Sequence, residues 1–367
     1  MIVKRLKLIN FRNYEELNID FSDNYNLIYG DNAQGKTNII EALFFCATGR
    51  SHRTTRDSEL IKLNENNFYI KLDLEHEAYE KNIEIGYDKK HKKIKINGSP
   101  IRKIGDLMGN LCAVMFSPED LMIIKEGPAA RRRLIDITIS QLRPVYFFNL
   151  QQYYKVLEQR NNLLKSIKKD KNLLDTLDVW NQNLVNIGTK IIIERDKFIK
   201  KLNKYSYEKH LKLTNNEEEI EIVYSPSIRC ESYENQNLVK NIFLKNLERL
   251  KASELMVGTT MCGPQRDDMD ISFNANNLKV YGSQGQQRTA ILTMKLATID
   301  VIQEENGQKP ILLLDDVMSE LDEKRQGYLY ENLVKLQTFV TTTEKKVDFK
   351  NRGEKIFKVV DGRVFVE

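Results

Sequence analysis

The sequence predicts an α/β protein: a mixed sheet with an antiparallel β-subdomain, into which a long α-helical arm is inserted. Three observations point there. An apolar strand at Tyr25–Tyr29 runs through a glycine-containing loop into a helical stretch at 38–48. A second apolar strand, Ile311–Leu314, ends in two adjacent aspartates. Between them, from 145 to about 212, the chain has no proline, a single glycine (Gly188) and apolar residues at helical spacing.

Along the chain, residues 1–30 read as short strands, with a turn at Asn10–Asn13 and alternation at Leu17, Ile19 and Phe21. Residues 66–98 read as an antiparallel meander. Phe68, Ile70, Leu72 and Leu74 alternate with polar residues, then Ile83 and Ile85, then Ile94 and Ile96; turn chemistry sits at 88–93 and at Asn97-Gly98. Val114–Phe116 reads as a buried strand. The arm pattern is Tyr146, Leu150, Tyr153 and Leu157, then Leu177, Trp180, Leu184, Ile187 and Ile191, with a break near Lys168–Lys171. The 3-4-3-4 spacing is heptad-like and predicts two long antiparallel helices, an arm rather than a compact bundle; an ordinary helical subdomain is the alternative. A strand at Ile220–Tyr224, a helix over about 238–254, a strand around Ile271–Phe273, a helix beginning near Gly285 and a strand at Leu336–Val340 complete the reading. The predicted segments are 1–128 and 256–367 for a nucleotide-binding head and 129–255 for the helical insertion.

Composition sets outer limits. Of 367 residues, 41% are hydrophobic and 30% charged, which fits a packed globular chain and not a disordered one. No apolar run approaches the ~18 residues of a membrane span, and the N-terminus lacks the pattern of a signal peptide. No membrane association is expected. Cys46, Cys112, Cys230 and Cys262 are isolated, without a CxxC pair or a histidine at metal spacing. Zinc and a disulfide framework are therefore disfavoured, and a cytoplasmic setting is expected. The net charge of +5 is only mildly basic. Local clusters at Lys89–Lys95, Arg131–Arg133 and Lys168–Lys171 fit either a phosphate-contacting surface or solvated faces.

Gly30-Asp31-Asn32-Ala33-Gln34-Gly35-Lys36-Thr37 fits the phosphate-loop pattern G-x-x-x-x-G-K-[ST], between a strand and a helix as that pattern requires. The glycines let successive N–H groups converge on phosphates at a helix N-terminus. Lys36 is expected to reach the β- and γ-phosphates of ATP, and the Thr37 hydroxyl to ligate Mg²⁺. Asp315 suits the metal's water shell and Asp316 suits polarising an attacking water; an Asp helix cap after a buried strand is the plainer reading. Most of the chain separates Lys36 from Asp315, and no NKxD motif is present. A phosphate-loop ATPase split by a long helical insertion points to the ABC-type heads of the SMC group. Ser283-Gln284-Gly285-Gln286-Gln287-Arg288 resembles an ABC signature, whose Ser and Gly cap the γ-phosphate held by the opposite subunit; alone it would be a polar turn and helix cap. Ser319-Glu320-Leu321-Asp322 follows the double aspartate as a D-loop would, or as a helix start.

Taken in order, Asn10–Tyr14, Gly30–Thr37, Phe116–Leu121, Gly127-Pro128 through Arg133, Gly263–Asp268, Ser283–Arg288, Leu312–Asp322 and Thr341–Thr343 resemble the RecF family nearly end to end. The resemblance implies an ABC/SMC-type ATPase head with a short helical arm, and ATP-dependent homodimerisation around two nucleotides. It also implies binding to duplex DNA near single-strand gaps, slow DNA-stimulated ATP hydrolysis, and cooperation with RecO and RecR to load RecA. It assigns Arg12 an approach to phosphate, where a surface turn residue is the alternative, and gives Asn32 a hold on γ-phosphate or water. Asp316 stands where many ABC ATPases carry Glu, which accords with a slow switch. No glutamine occupies the Q-loop region Phe116–Asp120, Thr341–Thr343 replaces the switch histidine of ABC transporters, and Gln265 stands where the family leads one to expect His. A transporter ATPase subunit, or an SMC-like protein of structural or defence role, are the other functions weighed.

Overall fold

The computed structural model describes residues 1–76, 79–333, 336–345 and 354–367. Its contacts divide the chain into two compact units, Met1–Leu121 with Arg288–Glu367, and Met122–Gln287.

The first unit begins with β1 (Ile2–Phe11), β2 (Tyr14–Asp20), β3 (Tyr25–Tyr29) and α1 (Lys36–Thr48). It continues with β4 (Phe68–His76), β5 (Tyr79–Tyr87), β6 (Lys92–Ile96), β7 (Ser99–Ile101) and β8 (Ala113–Phe116). The second unit follows: α2 (Met122–Lys125), α3 (Pro128–Leu142), α4 (Pro144–Ile167), α5 (Leu177–Leu213), β9 (Ile220–Ser225), α6 (Gln236–Val257), β10 (Asp268–Phe273), β11 (Asn276–Asn277) and α7 (Leu278–Tyr281). Helix α8 (Gln284–Asn306) starts at the end of that unit, and its remainder belongs to the first. The first unit then closes with β12 (Ile311–Asp315), α9 (Glu323–Leu333), β13 (Thr338–Thr342), β14 (Glu354–Val360) and β15 (Arg363–Val366).

Two sheets build the first unit. The antiparallel one runs β2-β1-β4-β5-β6-β7. Its register places Leu6 and Leu8 opposite Leu72 and Ile70, and Ile83 and Ile85 opposite Ile96 and Ile94, so the alternating apolar residues share one face. The other runs β15-β14-β3-β13-β12-β8, parallel except for the β14–β15 hairpin. A strand within a parallel sheet is covered on both faces, which is why Ile311–Leu314 is a continuous aliphatic run and wholly buried. Helix α1 packs against β8, β12 and β13 of this sheet and β4 and β5 of the other. Eleven of its residues are buried, including Glu41.

In the second unit α4 and α5 pair antiparallel. Arg160 of α4 bonds Asn181 near the start of α5, and Tyr146 of α4 bonds Arg195 further along α5. The 37 residues of α5 give a rod of roughly 55 Å at ~1.5 Å per residue. The pair is more embedded than a bare two-helix arm. Besides the predicted seam residues Leu177, Leu184 and Ile191, α5 buries Asn181, Val185, Thr189, Ile192 and Asp196. Helix α6 packs on α5 and α4, and β9 packs on α5.

The unit borders differ from the sequence segmentation at 128/129 and 255/256. Strand β10 pairs with β9 from Asp268↔Ser225 to Phe273↔Ile220, which ties 268–273 to the insertion. Among the elements not read from the sequence are α3, which has Pro128 in its first turn, and the β14–β15 hairpin. No helix among the described residues is long and apolar enough to cross a membrane.

Candidate functional site

The Gly30–Thr37 loop leaves the C-terminal end of β3 and enters α1. Its backbone needs glycine twice. Gly30 has φ +153° and a Cβ there would stand 2.3 Å from Val359 O; Gly35 has φ +115° and a Cβ there would stand 2.5 Å from the Asn13 amide. The loop is tied down from beneath. Asn13 Nδ2 donates to Gln34 O at 2.8 Å, and Asn13 Oδ1 accepts from Asn38 Nδ2 at 2.8 Å. From the β14–β15 turn, Asp361 N–H donates to Gln34 Oε1 at 2.5 Å and Gly362 N–H to Gln34 O at 3.2 Å. Tyr14 OH donates to Gly35 O at 3.1 Å. No side chain caps the start of α1, which leaves its positive end for an anion. Lys36 Nζ donates back to Gly30 O at 2.6 Å and Asp31 O at 2.7 Å, so the ammonium lies within the loop. Burial lowers the Lys36 pKa, against the opposing pull of Asp316, Asp31 and Asp315.

The distant half of the site meets the loop at one carboxylate. Asp315 Oδ1 accepts from Thr37 Oγ1 at 2.8 Å, across 278 positions of sequence, and from Thr341 Oγ1 at 2.7 Å. Burial raises the Asp315 pKa, and the two hydroxyls only partly offset it. A desolvated carboxylate beside a threonine hydroxyl gains from a cation, so Thr37 and Asp315 fit a Mg²⁺ that would take its other ligands from phosphate and water. Asp316 follows at φ +52°, a left-handed conformation costly for a residue with a side chain. Its N–H donates to Thr341 Oγ1 at 2.9 Å. Thr341 therefore holds both aspartates, a role the sequence did not assign it.

Arg12 also has positive φ, +55°, in the tight turn between β1 and β2. Its guanidinium forks onto Glu41 of α1, with Nε to Oε2 at 2.8 Å and Nη2 to Oε1 at 2.6 Å, while Nη1 donates to Glu59 O at 2.9 Å. Glu41 is fully buried. Burial pushes its pKa up, but the Arg12 fork and the Ser51 hydroxyl outweigh that and leave it below the usual value. Arg12 is thus tied to α1 through Glu41 and to Glu59 O. Arg53, which the sequence reading passed over, bonds Asn38 Oδ1 at 3.1 Å and lowers the Asp315 pKa through its charge. The signal for it was weak: an arginine in a polar loop past α1.

Other predicted residues fall into place separately. In the Phe116–Asp120 segment, Asp120 pairs with the buried Lys295 of α8 at 2.7 Å and accepts from Ser117 N–H, so it is committed within the fold. Ser319 Oγ donates to Asp316 O at 2.9 Å, and Asp322 Oδ1 accepts from Arg325 N–H at the start of α9.

In the second unit Ser283 and Gln286 bracket the start of α8, with Gln284 and Gly285 between them. Gln265 Oε1 accepts from Tyr153 OH and its Nε2 donates to Cys262 O at 2.9 Å, which gives that residue a packing role. Two arginines of the basic cluster at 131–133 are already engaged within the fold. Arg131 makes a two-pronged bond to Asp268 at 2.6 and 2.8 Å and is nearly buried, and Arg132 donates to Asp267 O at 2.6 Å. These two hold α3 to β10 and its approach. Lys92 is similarly occupied, by Asp57 at 2.6 Å and Gly49 O at 2.8 Å.

Comparison with known proteins decides the family. The model described as the RecF/RecN/SMC N-terminal domain matches residues 2–363. The DNA replication and repair protein RecF of Acetivibrio thermocellus is 52% identical over 369 residues, covering 100% of both chains. The chain belongs to the RecF family. Solved structures of the recombination mediator protein RecF in the RecFOR pathway agree. The one with ATPrS has a TM-score of 0.94 at 40% identity, covering 99% of this chain and 97% of that one. The one with ATP has a TM-score of 0.94 at 39% identity, covering 100% and 97%. The fold is accordingly the ABC/SMC-type ATPase head of the RecF family, with its helical insertion.

Proposed function

We propose that this chain is an ATP-gated DNA-binding protein of recombinational repair, in which ATP-driven homodimerisation closes a grip on duplex DNA near single-strand gaps. The observation that carries the reading is the Thr37–Asp315 hydrogen bond of 2.8 Å, which joins the two halves of a phosphate-transfer site from opposite ends of the chain. The RecF relatives with ATP and ATPrS support the choice of nucleotide.

The roles follow from the chemistry. Backbone N–H groups of Asp31, Asn32, Ala33, Gln34 and Gly35, with the open start of α1, bind phosphate oxygens. Lys36 leaves its two loop carbonyls for the β- and γ-phosphates, which compensate an ammonium weakened by burial. Thr37 and Asp315 hold Mg²⁺, which when bound neutralises and aligns phosphate charge. Asp316 accepts the proton of the attacking water. Asn32 orients the γ-phosphate or that water, and Arg12 steadies the same corner of the site through α1. Ser283, Gln284, Gly285 and Gln286 of one copy cap the γ-phosphate on the other, so ATP itself is the adhesive between subunits. Hydrolysis, slow and stimulated by DNA, releases the grip. RecO and RecR are the partners through which the clamp promotes RecA loading. DNA contacts fall to exposed lysines such as Lys90, Lys93 and Lys95 and those along the arm; they meet phosphate and carry no sequence preference.

The test is fluorescence anisotropy on a gapped duplex, with and without ATP·Mg²⁺, over a salt series. ATP should tighten binding, and Lys36→Ala and Ser283→Arg should abolish the difference. Equal binding with and without ATP would remove the gating function.

A further inference from the structure

The start of α8 leans on a side chain outside every motif named so far. Ser283 Oγ accepts from the Gln286 N–H at 3.2 Å, and Gln286 Oε1 accepts from the Ser283 N–H at 2.9 Å, which is a reciprocal capping box. The other end of the Gln286 carboxamide, Nε2, donates to Glu218 Oε1 at 2.7 Å. A carboxamide has one donating and one accepting end, whereas a carboxylate only accepts. Glu218 therefore dictates which way round Gln286 stands. Reversed, the amide would set its NH₂ group against the Ser283 N–H, donor against donor, and the box would open.

Glu218 is itself held on several sides. Its N–H donates to Thr214 Oγ1 at 3.3 Å, and Thr214 closes the C-terminal end of α5. The next residue, Glu219, exchanges two bonds with Asn274, each of 2.9 Å. The second carboxylate oxygen, Oε2, lies 3.5 Å from His210 Nε2 on the last turn of α5. A polar loop residue held by its backbone and lying against the end of α5 is an anchored one. Its free energy of ordering is met by the fold before any ligand arrives.

We propose that Glu218 is a positioning residue for the signature segment, orienting the Gln286 amide so that the capping box is complete and Ser283 aims its hydroxyl at the γ-phosphate on a second copy of this chain. With Oγ already accepting from Gln286, the hydroxyl hydrogen is left to donate to a phosphate oxygen. The inference rests on the dimer reading above.

Sedimentation of the full-length protein in saturating ATP·Mg²⁺ tests it. Glu218→Ala should raise the protein concentration needed for half-dimerisation about tenfold, as the loss of one organised hydrogen bond to a charged group would. Binding of a fluorescent ATP analogue to the monomer should not change. Glu218→Gln, whose carbonyl still accepts from Gln286, should recover most of the loss. A second pair guards against a variant that fails to fold: Gln286→Glu keeps the capping acceptor but sets two carboxylates together and should weaken the dimer, and adding Glu218→Gln should restore it. If Glu218→Ala dimerises like the parent while Ser283→Arg stays monomeric, the positioning role falls and the dimer reading stands. If Glu218→Gln is no better than Glu218→Ala at equal melting midpoint, orientation of the amide is not the cause and the inference is overturned. A parent protein that stays monomeric with ATP overturns both.

Discussion

Asp315 and its two threonines show how much rests on single hydroxyls. Thr341 donates to Asp315 and accepts from the N–H of Asp316, whose left-handed backbone needs a hold. Thr341→Val keeps the shape and removes both bonds. It should cost about 1–3 kcal/mol, read by chemical denaturation, and should lower ATP turnover more than ATP affinity. Asp316→Asn removes the proposed proton acceptor; single-turnover hydrolysis should fall by roughly 10²-fold or more, while the ATP-bound DNA complex lives longer. Glu41 has a pH signature. Its folded pKa lies below the ordinary value of 4.5, so its contribution is complete above that pH and is lost as pH falls through the folded value. In Arg12→Ala burial becomes the dominant influence and the folded pKa moves upward. That variant should be destabilised by on the order of 2–3 kcal/mol at pH 7 and should regain stability on acidification towards pH 5, where the parent does not. Denaturant midpoints across pH 4–8 check the sign. None of these partnerships was legible beforehand. Thr341 read as one of three threonines and Glu41 was not singled out within its helix, because a partner 29 or 26 residues away leaves no local pattern.

At the scale of elements, period and punctuation carried most of the reading. Alternation at Phe68–Leu74 and the 3-4 spacing at Leu177–Ile191 became β4 and α5 because each period puts one stripe of side chains on one covered face. The same logic concealed the buried charges. Arg160 is 1% exposed and pairs with Glu254, itself fully buried; Thr260 and Asn181 bond the same guanidinium. Removing one partner strands the other, so Glu254→Ala should cost about 3–5 kcal/mol, whereas Arg160→Met with Glu254→Leu should cost far less. Thermal melts of the single and double variants decide it. Arg131 is the companion case on α3. Arg131→Ala should lower the melting temperature yet leave the salt slope of DNA binding unchanged, since its charge is spent on Asp268. The β14–β15 hairpin did have a signal. Asp361-Gly362 between alternating apolar residues is a favoured two-residue turn, and its positive φ values of 47° and 70° bear that out.

Over the whole molecule, the parallel sheet turns two remote motifs into one site, so nucleotide and fold should be linked. ATP·Mg²⁺ at about a hundredfold over its Kd should stabilise the chain by ~2.7 kcal/mol, and Lys36→Ala should abolish the shift in a melting scan. The sequence by itself determined the phosphate loop, the paired aspartates, the capped start of α8, the long helices and the family. Each is written in contiguous residues, where backbone geometry, side-chain period and local chemistry coincide. Only the tertiary structure decided that Thr37 and Thr341 share Asp315, that Arg12 closes on Glu41, that Arg131 is a brace, and that Glu218 stands behind Gln286. Those pairings depend on which strands become neighbours and which charges lose their water, and burial, unlike spacing, is a property of the folded chain as a whole.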